Sequence, residues 1–467
     1  MYNWLESRAR EMPEKPAVIF EGKAVTFFEL HETAVEMKGR LMALDRRRIA
    51  FFIGNTLDAV YAIHGAMLAG IEIVMINTRL TGREIAAQLD DIDVDTVVAT
   101  EPVVLEGYRV YTWEDIRNMA PVSGRSGSSS GSGILSIMFT SGTTGRAKAV
   151  TQSYDNHYAS ALGCEDRFGY TEDSMWMNIN PIYHISGFSV LLRSVIRGCT
   201  IVLIEKFEEE KIWRTISEYG VTHTSMVPIM LKRLMDHGVR EHGLEGILLG
   251  GAGVTRDILG RALSLGLPVY NSFGMTETCS QIVSIAPDDP KILEGTVGKP
   301  LDNIDIVIDH DNDGELLVRG GPVTGGYLNA AMEVSEGYFR TGDMGYIDEA
   351  GYLHILDRRK DLIISGGENI YPKEIEDVAT AHTGVVNAAV VKRKDSEWGE
   401  VPVLLVELAE GMGVDNGGIM AHLERHLARY KLPKEIHRVG NIIMTSTGKV
   451  SRAQNQQAYN IKRSSNR

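Results

Sequence analysis

The segment FTSGTTGRAKAV, residues 139–150, runs from an apolar residue into a loop of serine, threonine and glycine that is followed by a single lysine, Lys148. Glycine lets backbone N–H groups turn toward an anion because no Cβ stands in the way, and hydroxyl groups add further donors. The lysine supplies one mobile positive charge. Together these groups suit a polyphosphate. The candidate donors of the loop are Thr140, Ser141, Gly142, Thr143, Thr144 and Gly145.

The spacing of this loop excludes the Walker A type of phosphate loop. Its glycines and lysine are arranged as G-x-x-G-x-x-K, whereas Walker A reads G-x-x-x-x-G-K-[ST], and no serine or threonine follows Lys148 to bind Mg²⁺. A kinase-like P-loop transferase is therefore excluded. A solvent loop without a ligand remains the alternative when the segment is considered alone.

Strands and helices alternate on the N-terminal side of the loop. IAFFIGN (49–55) and IEIVMIN (71–77) have the composition of buried strands, and TLDAVYAIHGAMLAG (56–70) between them has helical spacing. Thr56 is a suitable N-cap for that helix, and Gly70 is a suitable stop. This alternation predicts an α/β fold with a mostly parallel sheet.

The length and charge of the chain limit its class. A chain of 467 residues is too long for one ordinary core, so two or more domains are expected. Its 48 Lys and Arg residues against 62 Asp and Glu residues give a net charge of −14, which argues against nucleic acid or an anionic membrane surface as the main partner.

The three cysteines form neither a metal spacing nor a disulfide framework. No segment has the apolar character of a signal peptide or a membrane span, so a cytoplasmic protein is expected, and a homo-oligomer stays open.

The sequence pattern changes near residue 361, where short strands and amphipathic helices begin. We therefore predict a large N-terminal α/β domain of mixed, mostly parallel sheets with helices over residues 1–357. A hinge at 358–360 would connect it to a small C-terminal α+β domain over 361–467, which has an ordinary domain size.

The loop at 139–150 resembles the phosphate loop of the adenylate-forming enzymes, which include acyl- and aryl-CoA ligases, luciferases and peptide-synthetase adenylation domains. In that family the loop commonly reads TSGTTGxPKG. Ala147 replaces the proline here, which loosens the turn, and Ala149 replaces the last glycine, which is harmless if its φ is below zero. Neither change removes a donor or the lysine, so the resemblance implies that this loop binds ATP.

The segment NSFGMTETCSQ (271–281) resembles the Y-G-x-T-E segment of the same family. By that resemblance, Thr276 donates to the α-phosphate and Glu277 binds Mg²⁺, a cation that prefers oxygen ligands. Considered alone, the two residues also fit a helix start with a carboxylate near its N-terminus. LLGGAG (248–253) resembles the strip that lies along the adenine. The implied adenine contacts are Gly251, Ala252, Phe273 and Gly274.

Two further segments resemble the ribose-binding part of the family. YFRTGDMGYID (338–348) implies that Asp343 accepts hydrogen bonds from the ribose hydroxyls. LDRRKDLIISGG (356–367) implies that Arg358 contacts the ribose and that Lys360 is the hinge position. A surface charge cluster is the alternative for the charged residues of this second segment.

The segment TSTGKVSR (445–452) resembles the C-terminal T-G-K loop of the family. It implies that Lys449 is catalytic, bridging carboxylate and α-phosphate oxygens while charge develops in the transition state. The small domain is then expected to rotate about the hinge and to present a second face, which includes SGGENIYP (365–372), to the thiol. A core tryptophan is the alternative reading of Trp398. The implied CoA contacts are Gly366, Gly367 and Trp398.

The segment INPIYHISGFSVLLRSVI (179–196) resembles the part of the family that closes the acyl pocket. His184 is placed by this resemblance at the mouth of the pocket, with a catalytic and an acid-binding role; a core histidine is the alternative. Arg193 lies in an otherwise apolar run, and arginine is seldom buried unpaired. A second carboxylate of the substrate or an internal salt bridge would serve as its partner. Ser225 completes the implied acid-binding set.

The resemblance implies an ATP-dependent acid–CoA ligase that uses ATP, Mg²⁺ and CoA. DLIISGGENI (361–370) resembles aryl-acid–CoA ligases, including those for halobenzoates, so an aryl carboxylic acid is expected. Spacing and composition alone stop at an acid–CoA ligase. Another acyl-acid ligase, and a nucleotide-binding regulator that has lost the chemistry, remain as alternatives.

Overall fold

The computed structural model describes residues 3–122, 133–140, 147–251, 253–312, 314–358, 361–365, 368–395, 398–409, 414–427, 429–445 and 448–465. The chain divides into two compact units, Met1–Ile306 with Val318–Phe339 and Val307–Leu317 with Arg340–Arg467. Residues 359 and 360 of the predicted hinge lie outside the described residues. The boundaries at 357 and 361 stay predictions.

The first unit carries two sheets and their covering helices. Its helices are α1 (Trp4–Glu11), α2 (Phe27–Met42), α3 (Leu57–Ala69), α4 (Gly82–Asp90), α5 (Trp113–Asn118), α6 (Tyr154–Phe168), α7 (Ile185–Arg197), α8 (Glu209–Tyr219), α9 (Pro228–His237) and α10 (Arg256–Ser264). The strands of its two sheets are β1 (Pro16–Phe20), β2 (Lys23–Thr26), β3 (Arg48–Phe52), β4 (Glu72–Met75), β5 (Thr96–Ala99), β6 (Arg109–Thr112), β7 (Ile134–Thr140), β8 (Lys148–Ser153), β9 (Met175–Asn178), β10 (Thr200–Leu203), β11 (His223–Met226), β12 (Gly246–Leu249), β13 (Val269–Met275), β14 (Ser280–Ile285) and β15 (Lys299–Pro300).

The two strands that flank the predicted phosphate loop end a six-stranded sheet in the order β6-β5-β3-β4-β7-β8. Neighbouring strands are parallel except for the pair β7 and β8, which is antiparallel. Alternate residues of β3 are buried on opposite faces, with Phe51 in one apolar cluster and Phe52 in another. Because both faces are covered, the strand needs a continuous apolar run instead of an alternating one. The predicted parallel sheet is confirmed.

The predicted helix after β3 is also confirmed, with its predicted ends. The hydroxyl of Thr56 accepts a hydrogen bond from the backbone N–H of Ala59 at 3.3 Å, and Gly70 ends α3 in the left-handed conformation with φ 71°. A residue with a Cβ would be strained at that φ. These two signals therefore fix the length of the helix between two parallel strands.

The second sheet of this unit has nine strands in the order β15-β14-β13-β12-β11-β9-β10-β1-β2. The run from β13 to β1 is parallel, and the outer pairs are antiparallel. In a parallel sheet the carboxyl ends of the strands share one edge, which is where ligands bind in α/β proteins. The strands β11, β12 and β13 end there in the segments predicted to contact acid and nucleotide.

The second unit is an α+β domain, as expected for the C-terminal region. Strands that the unit boundary crosses are β16 (Ile304–Asp309), β17 (Glu315–Gly320) and β19 (Tyr338–Ile347), and β18 (Val334–Ser335) precedes β19. The remaining elements are β20 (Leu353–Arg358), β21 (Ile363–Ser365), β22 (Glu368–Ile370), α11 (Pro372–Thr380), β23 (Val385–Asp395), β24 (Gly399–Leu408), α12 (Asn416–His426), β25 (Glu435–Arg438) and α13 (Arg452–Ser465).

A partly buried ion-pair network fixes α13 within the second unit. Arg452 donates to both carboxylate oxygens of Glu376, at 2.9 and 2.7 Å, and to Asp361 at 3.0 Å. Glu376 also accepts a hydrogen bond from the backbone N–H of Val390 at 2.8 Å. A two-pronged arginine–carboxylate pair is directional, so the start of α13 has a defined orientation on the domain.

Candidate active site

The phosphate-loop strand pair begins and ends at the residues that the sequence singled out. Thr140, the last residue of β7, is paired with Lys148, the first residue of β8, in antiparallel register. The loop residues Ser141 to Gly145 lie outside the described residues, so their contacts stay predictions. Ala149 is an interior residue of β8, and its φ is not positive. The replacement of glycine at this position therefore introduces no backbone strain, which is the condition that the sequence pattern required.

The segment 324–329 packs along β8 and was not identified from the sequence. The side chain of Asn329 accepts from the backbone N–H of Ala149 at 2.9 Å and donates to the carbonyl of Ala147 at 2.8 Å. The backbone N–H of Thr151 donates to Gly326 at 3.1 Å. These bonds fix both residues that flank Lys148, and so they fix the point from which the lysine side chain extends.

Lys148, which is predicted to bind phosphate, and Glu277, which is predicted to bind Mg²⁺, both contact the side chain of Tyr327. The Nζ atom of Lys148 lies 4.9 Å from the ring centroid, within the range of a cation–π interaction. The hydroxyl of the same tyrosine donates to Oε1 of Glu277 at 3.1 Å. One aromatic side chain therefore contacts the candidate phosphate-binding cation and the candidate metal-binding anion.

Thr276 and Glu277 lie in a tight turn between the antiparallel strands β13 and β14. The residues Thr276–Thr278 form one 3₁₀ turn, and Cys279 after it has φ 54°. The alternative of a helix start holds only for this single 3₁₀ turn, which has Glu277 in it, because an antiparallel strand follows instead of a longer helix. The carbonyl of Glu277 accepts from the N–H of Thr324 at 2.7 Å. The turn is thus joined to the segment that also packs on Lys148.

The adenine contacts implied by the resemblance are only partly described. Phe273 and Gly274 lie near the end of β13, are half-buried, and precede the Thr276 turn by two or three residues. Gly251 follows β12, the strand next to β13 in the sheet. Ala252 lies outside the described residues. Neighbouring strand ends therefore carry these residues, and their contacts with adenine stay predictions.

The acid-pocket segment forms a turn followed by α7. His184 is the residue before the helix, and its ring centroid lies 4.7 Å from that of Tyr183. A Cβ at Gly187 would come within 2.4 Å of the carbonyl oxygen of Pro181, so only glycine allows this close approach. Asn55 donates to the carbonyl of Asn180 at 3.0 Å, which fixes the turn from the six-stranded sheet. His184 is half-buried, and its role stays a prediction.

Arg193 is buried on α7, with 1% of its surface exposed. It donates to the hydroxyl of Ser280 at 2.9 Å and to Oε1 of Gln281 at 3.1 Å, and its guanidinium lies 5.2 Å from the ring centroid of Trp176. No carboxylate of the described residues forms an ion pair with it, so the salt-bridge alternative fails for that part of the chain. A buried cation with only neutral partners is costly unless a ligand supplies the opposite charge.

Ser225 lies in β11, at the edge where the acid pocket is expected. Its side chain is buried, and its hydroxyl has no hydrogen-bond partner within the described residues. The carbonyl of the same residue accepts from the side chain of Asn180 at 3.3 Å. Ser225 is thus adjacent to the turn that carries His184, and its hydroxyl can bond with a ligand.

The second unit carries the predicted ribose and catalytic residues. Asp343 on β19 is paired in antiparallel register with Arg358 on β20, and Asp343 is buried. The backbone N–H of Asp343 donates to the hydroxyl of Thr341 at 3.0 Å. The pairing of strands therefore brings together the two residues predicted from separate segments. The side chain of Arg358 and the whole of Lys360 lie outside the described residues.

Lys449 is exposed, and its backbone is hydrogen-bonded to Thr445. Its backbone N–H donates to the hydroxyl of Thr445 at 3.1 Å, and its carbonyl accepts from the N–H of Thr445 at 2.6 Å. Before the turn, the backbone of Ile443 bonds on both sides to Asn455 of α13, at 3.1 and 2.9 Å. These hydrogen bonds define the backbone position of Lys449 on the second unit, and a charge-stabilising donor requires a defined position.

Trp398 is 43% exposed, so the alternative of a core tryptophan is wrong. Its ring centroid lies 5.6 Å from the Nζ atom of Lys434 in the second unit. An exposed aromatic ring beside a lysine is suited to contact with an anionic, ring-containing ligand. Gly366 and Gly367 lie outside the described residues.

The donor set around Glu277 fits a cation that arrives with the substrate. Glu277 supplies one half-buried carboxylate, and the described residues contain no group of three or more His, Cys, Asp or Glu side chains that could bind a metal by themselves. Mg²⁺ is usually bound by one or two carboxylates together with substrate phosphates and water. The same part of the chain also contains no helix that is long and apolar enough to cross a membrane.

Three features together define an adenylate-forming enzyme: the strands β7 and β8 on either side of the predicted phosphate loop, the Thr-Glu turn that is connected to Lys148 through Tyr327, and the T-G-K sequence of the second unit. The chain belongs to the AMP-binding enzyme family: the model of the AMP-binding enzyme matches residues 5–328, and that of the AMP-binding enzyme C-terminal domain matches residues 374–449.

The individual relatives narrow the class. The chain is 43% identical over 457 residues to the 2-succinylbenzoate–CoA ligase of Staphylococcus epidermidis, with 96% of each chain covered. It is 40% identical over 485 residues to the ligase of the same name from Staphylococcus aureus, covering 96% of this chain and 98% of the relative. Among solved structures, o-succinylbenzoate CoA synthetase from Bacillus subtilis in complex with its acyl-adenylate intermediate is similar with a TM-score of 0.93 and 34% identity, with 98% of each chain covered. The same enzyme in complex with ATP and magnesium ion gives a TM-score of 0.91.

Proposed function

We propose that the protein ligates 2-succinylbenzoate to CoA through an acyl-adenylate, releasing AMP and diphosphate, as a step of menaquinone biosynthesis. Relatives of this name that match along nearly the full length of the chain support the reaction. The observation that supports ATP binding most directly is that Lys148 and Glu277 both contact the side chain of Tyr327. The observation that favours a dicarboxylic acid is the buried Arg193 without a carboxylate partner in the described residues.

The first half-reaction makes the acid reactive. A carboxylate cannot expel oxide, so its oxygen attacks the α-phosphorus of ATP, the bond from that phosphorus to the diphosphate breaks, and an acyl-adenylate forms. Lys148 binds the phosphate chain, Thr276 donates to the α-phosphate, and Lys449 stabilises the charge that develops on its oxygens. Glu277 would hold Mg²⁺, which would supply positive charge to the phosphate oxygens.

The second half-reaction transfers the acyl group to sulfur. The thiolate of CoA attacks the acyl carbonyl, the bond to the AMP oxygen breaks, and the thioester is released with AMP. Trp398, Gly366 and Gly367 bind CoA, and His184 at the acid-pocket turn borders the route of the thiol. Rotation of the C-terminal domain about a hinge at 358–360 separates the two steps, because Lys449 and the CoA residues belong to the same domain but act in turn.

Recognition of the acid rests on Arg193 and Ser225. 2-Succinylbenzoate has two carboxylates, one activated and one retained. Because Arg193 is almost fully buried and its two acceptors within the described residues are neutral groups, its charge acts on the retained carboxylate through space, and Ser225 donates its own hydroxyl directly. A benzoate or halobenzoate has no second carboxylate and would leave the charge of Arg193 uncompensated, so the buried arginine favours the dicarboxylic acid over these substrates.

The test of the function is exchange of labelled diphosphate into ATP by the purified protein with Mg²⁺ and a panel of acids, followed by thioester formation with CoA. We expect exchange with 2-succinylbenzoate to exceed that with benzoates. Exchange with benzoates alone would establish the other aryl ligase, and background exchange with every acid would establish the non-catalytic regulator.

Replacement of Tyr327 by phenylalanine is expected to weaken adenylate formation about tenfold, within the range for loss of a hydrogen bond to a charged group. The variant keeps the ring below Lys148 and removes only the hydroxyl that donates to Glu277. The loss should therefore be greatest at low Mg²⁺ concentration. Replacement by leucine removes both contacts and should also raise the KM for ATP; identical behaviour of the two variants would contradict the shared role.

Replacement of Trp398 by alanine is expected to raise the KM for CoA about tenfold, the order found when one stacked ring is lost from a nucleotide. The KM values for ATP and the acid should not change, because the residue acts only in the second step. Phe28 on α2 is an exposed aromatic residue in the other unit, and its replacement by alanine serves as the control. An unchanged KM for CoA in the Trp398 variant would remove this residue from the CoA site.

A further inference from the structure

A buried row of polar side chains lies directly behind the Thr276–Glu277 turn. It starts at His157 on α6, whose Nε2 lies 2.8 Å from the hydroxyl of Ser136 on β7. That hydroxyl donates to Oε1 of Gln152 on β8 at 2.6 Å, and Nε2 of Gln152 donates to the carbonyl of Thr276 at 2.9 Å. All three side chains are buried, and none of them has a role in the two half-reactions described above.

We propose that Gln152 is a positioning residue for adenylate formation, which sets the Thr276–Glu277 turn relative to the phosphate-loop strands by binding the Thr276 carbonyl. The inference rests on the proposed function, because it acts through the roles of Thr276 and Glu277. Gln152 belongs to the strand that begins with Lys148. Its amide therefore connects two parts of the site by one hydrogen bond. One part is β8, the strand that carries Lys148, and the other is the turn that carries Thr276 and Glu277.

The direction of every hydrogen bond in the row is determined. The Thr276 carbonyl can only accept, so the Gln152 amide nitrogen must face it and the amide oxygen must face Ser136. The single proton of the Ser136 hydroxyl is then used on Gln152, and His157 must donate from Nε2. Burial, together with the nearby charge of Arg193, lowers the pKa of His157 to about 3, so the imidazole stays neutral and its tautomer stays fixed.

The turn needs such a support because its own backbone is strained. Cys279 has φ 54° and Ser280 has φ 147°, values that residues with a Cβ rarely adopt. Strained backbone of this kind persists only where the surroundings determine it. Gln152 bonds to the carbonyl of Thr276, and the N–H of Thr324 bonds to the next carbonyl, that of Glu277. Without the first bond, the Thr276 carbonyl keeps, among the described residues, only the N–H of Cys279 at 3.2 Å, a partner within the turn itself, so this carbonyl loses its bond to β8. The Thr276 hydroxyl and the Glu277 carboxylate would then shift relative to Lys148.

The first experiment replaces Gln152 by methionine, which has similar length and no hydrogen-bonding amide. We expect acid-dependent diphosphate exchange to fall about tenfold and the Mg²⁺ concentration for half-maximal rate to rise several-fold, consistent with loss of one buried hydrogen bond at the turn. Transfer of the acyl group from supplied acyl-adenylate to CoA should stay at the wild-type rate. A variant in which only the thermal midpoint changes would overturn the proposal.

A matched control comes from Gln456 on α13. Its amide accepts from the N–H of Lys392 at 2.8 Å and donates to the carbonyl of the same residue at 2.9 Å, with a further bond to Asn460 at 3.2 Å. Gln456→Met therefore removes one accepted bond and the donated bonds of an amide in the other unit. We expect a loss of thermal stability and no change in the Mg²⁺ dependence. A shift of the Mg²⁺ dependence as large as that of Gln152→Met would mean that the effect is merely structural.

Replacement of Gln152 by glutamate separates positioning from folding. A protonated carboxyl group has the donor and acceptor pattern of the amide, whereas a carboxylate faces the Thr276 carbonyl with a repulsive charge. The exchange rate of Gln152→Glu relative to wild type should therefore rise as pH falls, with His157, Arg193 and Glu277 as the neighbouring groups that are ionisable or charged. A ratio independent of pH would overturn the proposal even if Gln152→Met fails to fold. Background exchange by the wild-type protein with every acid would instead overturn the proposed function, and this inference with it.

Discussion

Replacement of Lys449 by alanine is expected to lower the rate of adenylate formation by about 10²- to 10³-fold, the cost of removing one charge-stabilising donor from a transition state. As the acid attacks the α-phosphorus, charge builds on the oxygens around it, and Lys449 supplies a positive charge there. The residue is exposed on its turn, so no core contact is lost. The expected defect is therefore one of rate, with the thermal midpoint unchanged.

The same variant should still convert supplied acyl-adenylate and CoA to thioester at close to the wild-type rate. In that step the phosphorus bond is already made, and the CoA residues of the C-terminal domain are intact. The measurement pairs diphosphate exchange with thioester formation from synthetic acyl-adenylate. Lys462 on α13 is an exposed lysine of the same unit, and Lys462→Ala controls for the loss of one charge. Equal loss of both half-reactions in the Lys449 variant would contradict a mechanism with two successive faces.

The sequence predicted those features that depend on short stretches of chain. The helix from Leu57 to Ala69 has its cap and its stop within a few residues of each end, so its length follows from local chemistry. The apolar run of β3 needs no distant information either, because burial on both faces requires it. The ribose roles of Asp343 and Arg358 were predicted separately, and their pairing was not predicted, although it follows once two neighbouring strands pair.

The contacts that join the candidate site could not be predicted, because they connect segments far apart in the chain. Tyr327 and Asn329 contact β8, although nearly the whole nine-stranded sheet lies between them in sequence. A pair of glycines before an aromatic residue, GGYLN at 325–329, indicates a turn and nothing about its partner. Such contacts depend on the order of strands in the two sheets, which periodicity does not reveal.

The burial of Trp398 and the partners of Arg193 could not be predicted from residue type. Trp398 could have been a core residue or an exposed ring, and the structure exposes it. Arg193 in an apolar run could be paired with a carboxylate of the chain, and within the described residues its partners are the neutral groups of Ser280 and Gln281. These partners follow the Thr-Glu turn by only a few residues, so one hairpin carries both the residues predicted to bind the nucleotide and the groups that bond to Arg193.

Replacement of Arg193 by methionine is expected to lower the kcat/KM for 2-succinylbenzoate by about 10- to 100-fold, the range for loss of a hydrogen-bonded charge. Methionine is of similar length and fills the space beside Trp176. Replacing a buried charge by a well-packed apolar residue is often neutral or stabilising, and Ser280 and Gln281 keep the hydrogen bond between them. The thermal midpoint should therefore not fall, which separates a binding defect from an unfolding one.

The substrate itself supplies the control for this prediction. 4-Oxo-4-phenylbutanoate lacks the ring carboxylate of 2-succinylbenzoate, and 2-butanoylbenzoate lacks the aliphatic one. One of the two analogues keeps the carboxylate that is activated and lacks the carboxylate that is retained. If Arg193 acts on the retained carboxylate, this analogue should react poorly with the wild-type protein. Arg193→Met should then not slow its reaction further. Comparing both proteins with both substrates gives the coupling free energy between Arg193 and the retained carboxylate. The separate effects of the substitution and of the missing carboxylate cancel in this comparison. Equal losses with 2-succinylbenzoate and with that analogue would show that the buried charge supports the hairpin, leaving Ser225 as the remaining candidate for recognition of the second carboxylate.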